Sequence, residues 1–455
     1  MEDSYWNTDY WHSMDRKQGK SDIIDINPNQ IGISSGIGDP LQGLRSRIFM
    51  GASQVELGFM GQGKGSRSSP TGWTPESVSV PEREAIRQLA KINEITLSTH
   101  ATPNVAISGI GEQGFSEERR EQALTEIKKA IDFAAATAGG GPVVLHAQEF
   151  PRSIAEHFAH EKFEQYPGEK EKAFLPLVDQ ETGRLVNLRR DIKVPEIVRD
   201  KDQKPIRDES NRLKVEMRSF NEYQQEFDRL AKEEKKEYDG SVGKYFYSKY
   251  KESEMQRNEA ESEFYDERAR ALERRQTEMQ KVQELVNKSK NKEYILDIIL
   301  QQKFAEELGL EEKKKLYENP EGFLKSAITQ VEHEKKRFEE GAEAYAKQAK
   351  SVQHEVETIQ PIEKYGVKQS AGAIARAALY GYDTEKNRDL ERPITIVPEN
   401  WTPEVYGSHP EELKQLVQES RKEFVDMLVK KKHIDEDQAQ KIAQERIKAT
   451  FDIGH

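Results

Sequence analysis

The chain has 455 residues, of which 35% are hydrophobic and 33% charged, with a net charge of -12 and no cysteine. The length admits two or three domains, and an apolar share below the ~45–50% of ordinary globular chains says that part of it builds no core of its own. Disulfides, thiolate metal sites and a cysteine nucleophile are excluded. No window approaches the ~18 apolar residues of a membrane span, and the acid excess argues against a generally basic nucleic-acid binder while leaving room for a locally basic groove.

Residues 1–42 are polar, aromatic-speckled and aperiodic, and close on the Gly/Pro-rich stretch Ile31–Pro40; they read as a flexible N-terminal tail. They show no apolar core and no cleavage site, so no secretory signal is expected. With the missing cysteines, this predicts a reducing, cytoplasmic setting.

Residues 43–164 read as the first part of an α/β domain. An apolar run ending near Val55 and Leu57 predicts a strand, Gly58–Pro75 a loop, and Pro81–Asn93 a helix striped by Ile86, Leu89, Ala90 and Ile92. Glu94–Ala101 reads as a strand. A helix capped by Ser116 then runs to the stop at Gly139–Gly141, and Pro142–Ala147 is a short apolar strand.

Residues 165–360 change character and read as a charged insertion. It opens with β-like runs and a hairpin turning at Glu181–Gly183. From Asn221 to Thr358 the density of Glu, Lys, Arg and Gln predicts long solvated helices, broken near Gly240–Gly243 and Asn319–Gly322. The apolar positions keep no clean heptad, so a protruding helical hairpin is expected rather than a continuous coiled coil. The α/β rhythm resumes over 361–455: a helix at Ser370–Asp383, a strand at Arg392–Asn400 and a helix with Ser408 as N-cap and Glu411 closing a capping box. A helix at Ile434–Glu445 and a strand at Arg446–His455 complete it.

The chemistry-bearing residues stand at strand ends: His100, His146, Glu399, and the pair Asp452 and His455. In a parallel barrel the C-terminal strand ends converge on one face. Two imidazoles and a carboxylate there suit zinc or another borderline divalent ion. Asp452 and His455 reach one site only through a turn, which Gly454 permits. A strand-end histidine is more commonly a hydrogen-bonded structural residue, but five such residues on four candidate strands weigh the other way. Two glycine patterns point elsewhere. Gly109, Gly111 and Gly114 match the spacing of a dinucleotide fingerprint, yet Ser116 caps the helix after the last glycine and the next strand ends in His146. Gly58–Gly65 approaches a phosphate-binding loop, but Gly65 stands where Ser or Thr must hold magnesium.

Leu97–Gly109 followed by Ser116–Ala147 resembles the second and third βα units of the endonuclease IV-like, xylose isomerase-like TIM barrels. These carry a strand ending in His-Ala, a charged helix, and a strand ending in Val-His. Ile394–Val417 is similar to their fourth unit, with a strand ending in Glu-Asn and a Gly-Ser loop, and Phe451–His455 resembles the Asp-x-x-His that ends the fifth strand. The resemblance covers about half the chain and implies an α/β fold, a partial (β/α)8 TIM barrel with about five of eight strands and a long, mostly helical insertion after the third. It implies a divalent-metal-dependent hydrolase that cleaves a phosphodiester in nucleic acid bound at the barrel mouth. His100, His146 and Glu399 would hold a first zinc, Glu399 would bridge to a second with Asp452, and His455 would serve a third. Two departures are Pro103 in place of the family's aromatic residue after the first His, and Ala147-Gln148-Glu149 after the second. Five strands do not close a barrel of eight, so the chain is expected to continue beyond His455. Two alternatives stand beside this reading. One is a sugar isomerase or epimerase of the same superfamily. The other is a non-catalytic protein whose degenerate barrel displays the charged helical arm to a protein partner. No membrane partner is expected.

Overall fold

The computed structural model describes residues 32–36, 38–61, 72–103, 105–147, 149–150, 174–198, 200, 206, 214–233, 241–288, 291–306, 308–402 and 405–452. They divide into two compact units. One takes the chain up to residue 151 and from 366 onward, without 112–115; the other takes 152–365 together with 112–115.

The first unit alternates strand and helix. In chain order it contains β1 (Gly32–Ser34), α1 (Pro40–Phe49), β2 (Gln54–Gly58), α2 (Val80–Ile92), β3 (Thr96–His100) and α3 (Glu117–Ala138). It continues with β4 (Gly141–His146), most of α4 (Ile362–Arg388), β5 (Ile394–Glu399), α5 (Pro410–Lys432) and α6 (Glu436–Arg446). The strands form one parallel sheet in the order β1-β2-β3-β4-β5. Beyond α6 the chain runs along β5 as a further parallel neighbour, with Ile447 opposite Ile396 and Thr450 opposite Glu399. Every strand lies next to its predecessor in the chain.

Local chemistry sets the element ends. Asp39 accepts the Leu41 N–H at 2.8 Å to open α1, the Ser79 N–H donates to Glu82 at 2.8 Å to open α2, and Gly139 ends α3 at φ 63°, a left-handed conformation that suits glycine. The glycines of 109–114 lie ahead of the Ser116 cap rather than in a helix. The cap of α5 departs from expectation by one residue: it is His409, with Glu412 accepting the N–H groups of Gly407 and His409. Ser408 is engaged elsewhere, its hydroxyl donating to the Thr402 carbonyl at 2.6 Å and accepting the Trp401 N–H.

The reading of 1–42 as a tail needs correction at its end. Gly32–Ser34 pair with Gln54–Glu56, and Ile33 packs on the core. A three-residue strand is too short to show alternation, which is why the pattern hid it. Residues 1–31 lie outside the described residues. The stretch before Val55 also divides differently: Arg45–Phe49 close α1, and the strand starts at Gln54.

Alternation along the strands gives the sheet two unlike faces. Val55, Leu57, Leu97, Val143, Leu145, Ile394 and Ile396 pack against Leu44, Ile86, Phe133, Ile127, Ile374 and Leu416 of the helices. By register the opposite face carries Glu56, Ser98, His100, Val144, His146, Val397 and Glu399.

The second unit contains the expected hairpin, with Phe174–Asp179 antiparallel to Leu185–Arg189, and Ile359–Pro361 joins its other edge. Val194–Ile197 pairs with Val215–Arg218. The helices Val242–Val286 and Pro320–Thr358 run antiparallel, since Tyr247 donates to Glu355 and Ser262 to the Ala342 carbonyl. Apolar packing concentrates at the two ends of this pair, around Phe246 and Tyr247 at one and Met279, Val282, Ile328 and Val331 at the other. That distribution explains why no heptad runs through it. Among the described residues no helix is long and apolar enough to cross a membrane.

Candidate metal centre

His100, His146 and Glu399 are the last residues of β3, β4 and β5. Glu399 stands directly opposite His146, and His100 opposite Val144. All three therefore share one face and one end of the sheet. Their ligand atoms lie within 4.8 Å of one another. The Nε2 atoms of His100 and His146 are each 3.3 Å from the same oxygen, Oε2 of Glu399. His146 and Glu399 are buried, at 7% and 9% exposure.

The surroundings set the protonation of the group. The Nδ1 of His100 lies 2.6 Å from the Ala101 carbonyl. A carbonyl only accepts, so Nδ1 carries hydrogen and Nε2 is the atom offered to Glu399. Burial alone would raise the Glu399 carboxyl, but the hydrogen bonds and charge of the two imidazoles outweigh it and hold the group at about 2. Burial alone would lower His100, yet the bond to Glu399, the charge of Glu56 and the Ala101 carbonyl carry it above its ordinary value. His100 thus keeps its proton to higher pH than a free imidazole does, at the atom a metal would need.

Trp401 lies over His146, with ring centroids 3.8 Å apart and planes at 33°. The His100 and His146 rings meet edge to face at 4.6 Å. These contacts fix the imidazole planes, as a preorganised ligand set requires.

Asp452 comes to this end of the sheet through a side-chain clamp. Asn400 accepts the Asp452 N–H at 2.7 Å and donates to the Asp452 carbonyl at 2.8 Å, pairing with its main chain as a neighbouring strand would. The Asp452 carboxylate acts on Glu56, which also feels His100 and Glu399. It is not among the three convergent ligand atoms. His455 lies outside the described residues.

Glu56, on β2, is the acid that motif reading missed. Burial raises its carboxyl; His100 opposes this, and Glu399 and Asp452 raise it further. The sequence carries no local signal for it, because Val55-Glu56-Leu57 alternates as any half-exposed strand does. Glu149, three residues after His146, was noted for its sequence departure but given no role. It is 2% exposed, and its Oε2 accepts the Ser108 N–H at 2.9 Å and the Ser370 hydroxyl at 2.6 Å. Its Oε1 is buried without a hydrogen-bond partner.

Two imidazole nitrogens and one carboxylate are a donor set that zinc takes, with a fourth position open. The 3.3 Å between each Nε2 and Oε2 is near the edge of a tetrahedron with bonds of ~2.0 Å, while the three ligand atoms as a set are held only within 4.8 Å of one another. No family model, no curated protein and no solved structure matches this chain.

Proposed function

We propose that the chain is a divalent-metal-dependent hydrolase of the endonuclease IV-like kind, built on a partial (β/α)8 barrel and acting on a phosphodiester in nucleic acid. The observation that carries it is the convergence of His100, His146 and Glu399, up to 299 positions apart in sequence, on one point at the C-terminal end of three adjacent strands. The sequential, parallel strand order supports the barrel, because a doubly wound sheet reverses its order partway. His100 and His146 would ligate through Nε2, and Glu399, ionised at any working pH, would supply the anionic ligand. Asp452 would contribute a carboxylate to a neighbouring cation and His455 would serve a further one, as the resemblance assigns. A divalent cation held by these residues would supply charge stabilisation at a phosphoryl oxygen and would lower the pKa of water. The mixed-sign helical arm suits contacts with a protein partner better than a phosphate track.

The test is metal analysis joined to hydrolysis. The purified chain is expected to retain zinc through gel filtration and to cleave bis(p-nitrophenyl) phosphate and a labelled oligonucleotide. His146→Ala should lose both the metal and the activity. Full zinc stoichiometry in that variant would sink the assignment.

Glu56 favours a second reading. A carboxyl raised by burial beside a cation site is placed to move protons, which is the chemistry of the sugar isomerases and epimerases. That reading expects metal-dependent exchange of a sugar C–H hydrogen with solvent deuterium, lost in Glu56→Gln, and no phosphodiester cleavage.

A further inference from the structure

Arg392 lies just before β5, at the end of the sheet opposite the metal centre. Its main-chain N–H donates to the Gly139 carbonyl at 3.0 Å, in the turn where α3 gives way to β4. Pro142 follows in β4 and has no N–H for the ladder. The Ala101 N–H reaches the Val144 carbonyl, and that register places the missing donor opposite the Leu97 carbonyl. The guanidinium takes its place: Arg392 Nη1 donates to the Leu97 carbonyl at 3.3 Å.

Among the described residues this is the guanidinium's one hydrogen bond, and no carboxylate comes within ion-pair distance of Arg392. Yet the side chain is half-buried, and burial pulls its pKa down without neutralising it. Arg218 pairs with Glu196 and Glu226 and Arg446 with Glu385, whereas Arg421, the other arginine whose pKa burial pulls down, spends both Nε and Nη2 on the Ile447 carbonyl. A partly desolvated cation without a counter-ion is a cost that the fold leaves uncompensated.

The space beside it is shaped to take one. A cavity of about 310 Å³ is lined by Arg392 together with Ser34, Gln54, Thr96, Ser98 and Glu56. Its lining is rich in hydroxyl and amide groups, and its volume is at the lower end of small-ligand sites. Glu56 is its one acid, and the charges that act on that carboxylate are His100, Glu399 and Asp452 of the metal centre.

We propose that this cavity is an oxyanion-binding site, with Arg392 as the binding residue and the phosphate or carboxylate group of a small ligand as its occupant. The planar fork of a guanidinium still has donors beyond the one given to Leu97, and a two-oxygen anion matches their geometry. The serine and threonine hydroxyls around it add donors that reorient without cost in charge. Its lining holds no proposed ligand of the first cation, and Glu56 is the one lining residue that also faces that centre.

The experiment is a calorimetric titration of the full chain with inorganic phosphate, and separately with acetate. A chelator is present throughout, so that the metal centre takes no part, and chloride holds the ionic strength constant. Saturable binding of one anion per chain is expected, weakened at least tenfold in Arg392→Gln and partly retained in Arg392→Lys. Preference for phosphate or for acetate identifies the source of the group. Because Arg392→Gln also removes the bond to Leu97, a second variant leaves the arginine in place: Ser98→Asp sets a carboxylate in the cavity, and should raise the melting temperature and abolish anion binding. Absence of saturable binding by the wild type, or unchanged affinity in Ser98→Asp, overturns the proposal.

Discussion

In the proposed centre the Nε2 atom of His100 would have two competing partners, a proton shared with Glu399 or a cation. Its pKa is raised in the fold, so the ion pair stabilises the metal-free protein fully below the ordinary histidine value and is lost as pH rises through the higher folded value. Zinc needs the bare nitrogen, so its affinity runs the other way. Once the pH falls below the raised pKa of His100, each further unit is expected to weaken zinc binding by ~10-fold, as a proton must then be displaced. Competition with a chromophoric chelator reads this directly, and a flat profile would mean that His100 is not a ligand. Asn400 is the second residue on which the centre depends. Asn400→Ala removes both bonds to the Asp452 main chain. The expected loss is about 1–3 kcal/mol in urea denaturation. Asn400→Asp should do no better, since a carboxylate faces the Asp452 carbonyl with no hydrogen to give.

At the scale of elements, Glu149 ties the segment after β3 to α4, through the Ser108 N–H and the Ser370 hydroxyl. Burial raises its carboxyl to about 7, against the pull of those two bonds. The folded chain therefore keeps this proton at a pH where the unfolded chain has released it. Stability attributable to the group is intact below an ordinary carboxyl pKa and falls as pH rises from there to about 7. The size is about 3 kcal/mol at 1.36 kcal/mol per pKa unit. Glu149→Gln cannot ionise, so between pH ~5 and ~8 the wild type should lose about that much more stability than the variant. Equal losses would show that Glu149 ionises freely in the fold. The same elements show what was legible beforehand. Strands β4 and β5 are apolar runs and β3 an alternating one, each ended by a ligand-type residue, and helices α2 and α3 carry caps and stops; these signals are local and survive in sequence. β1 is too short to alternate. Glu56 became functional only when strand register brought it to His100, and Arg392 only when Pro142 left the Leu97 carbonyl unpaired. Long-range pairing of this kind leaves no local period to read.

At the scale of the whole molecule, the sheet-bearing unit is interrupted between residues 151 and 366. The two sides of the interruption are bound to each other within that unit. Phe150 stacks on Tyr406 with centroids 4.8 Å apart and covers Gly366 so closely that a Cβ there would collide with its ring. Glu149 and Ser370 hydrogen-bond alongside. Ends so joined need little chain to connect them, and closure entropy grows only slowly with loop length. Among the described residues, those seen to hold His100, His146 and Glu399 in place lie outside 152–365. A chain in which residues 152–365 give way to a short Gly/Ser linker is therefore expected to fold, to unfold in one cooperative transition, and to bind the same number of zinc ions per chain as the parent. Its melting temperature should be lower, because Glu112–Phe115, which belong to the deleted unit, lose their partners there, among them Arg184. Circular dichroism and metal analysis on the shortened chain decide the matter: an aggregated or molten product would show that the insertion belongs to the folding unit of the metal centre.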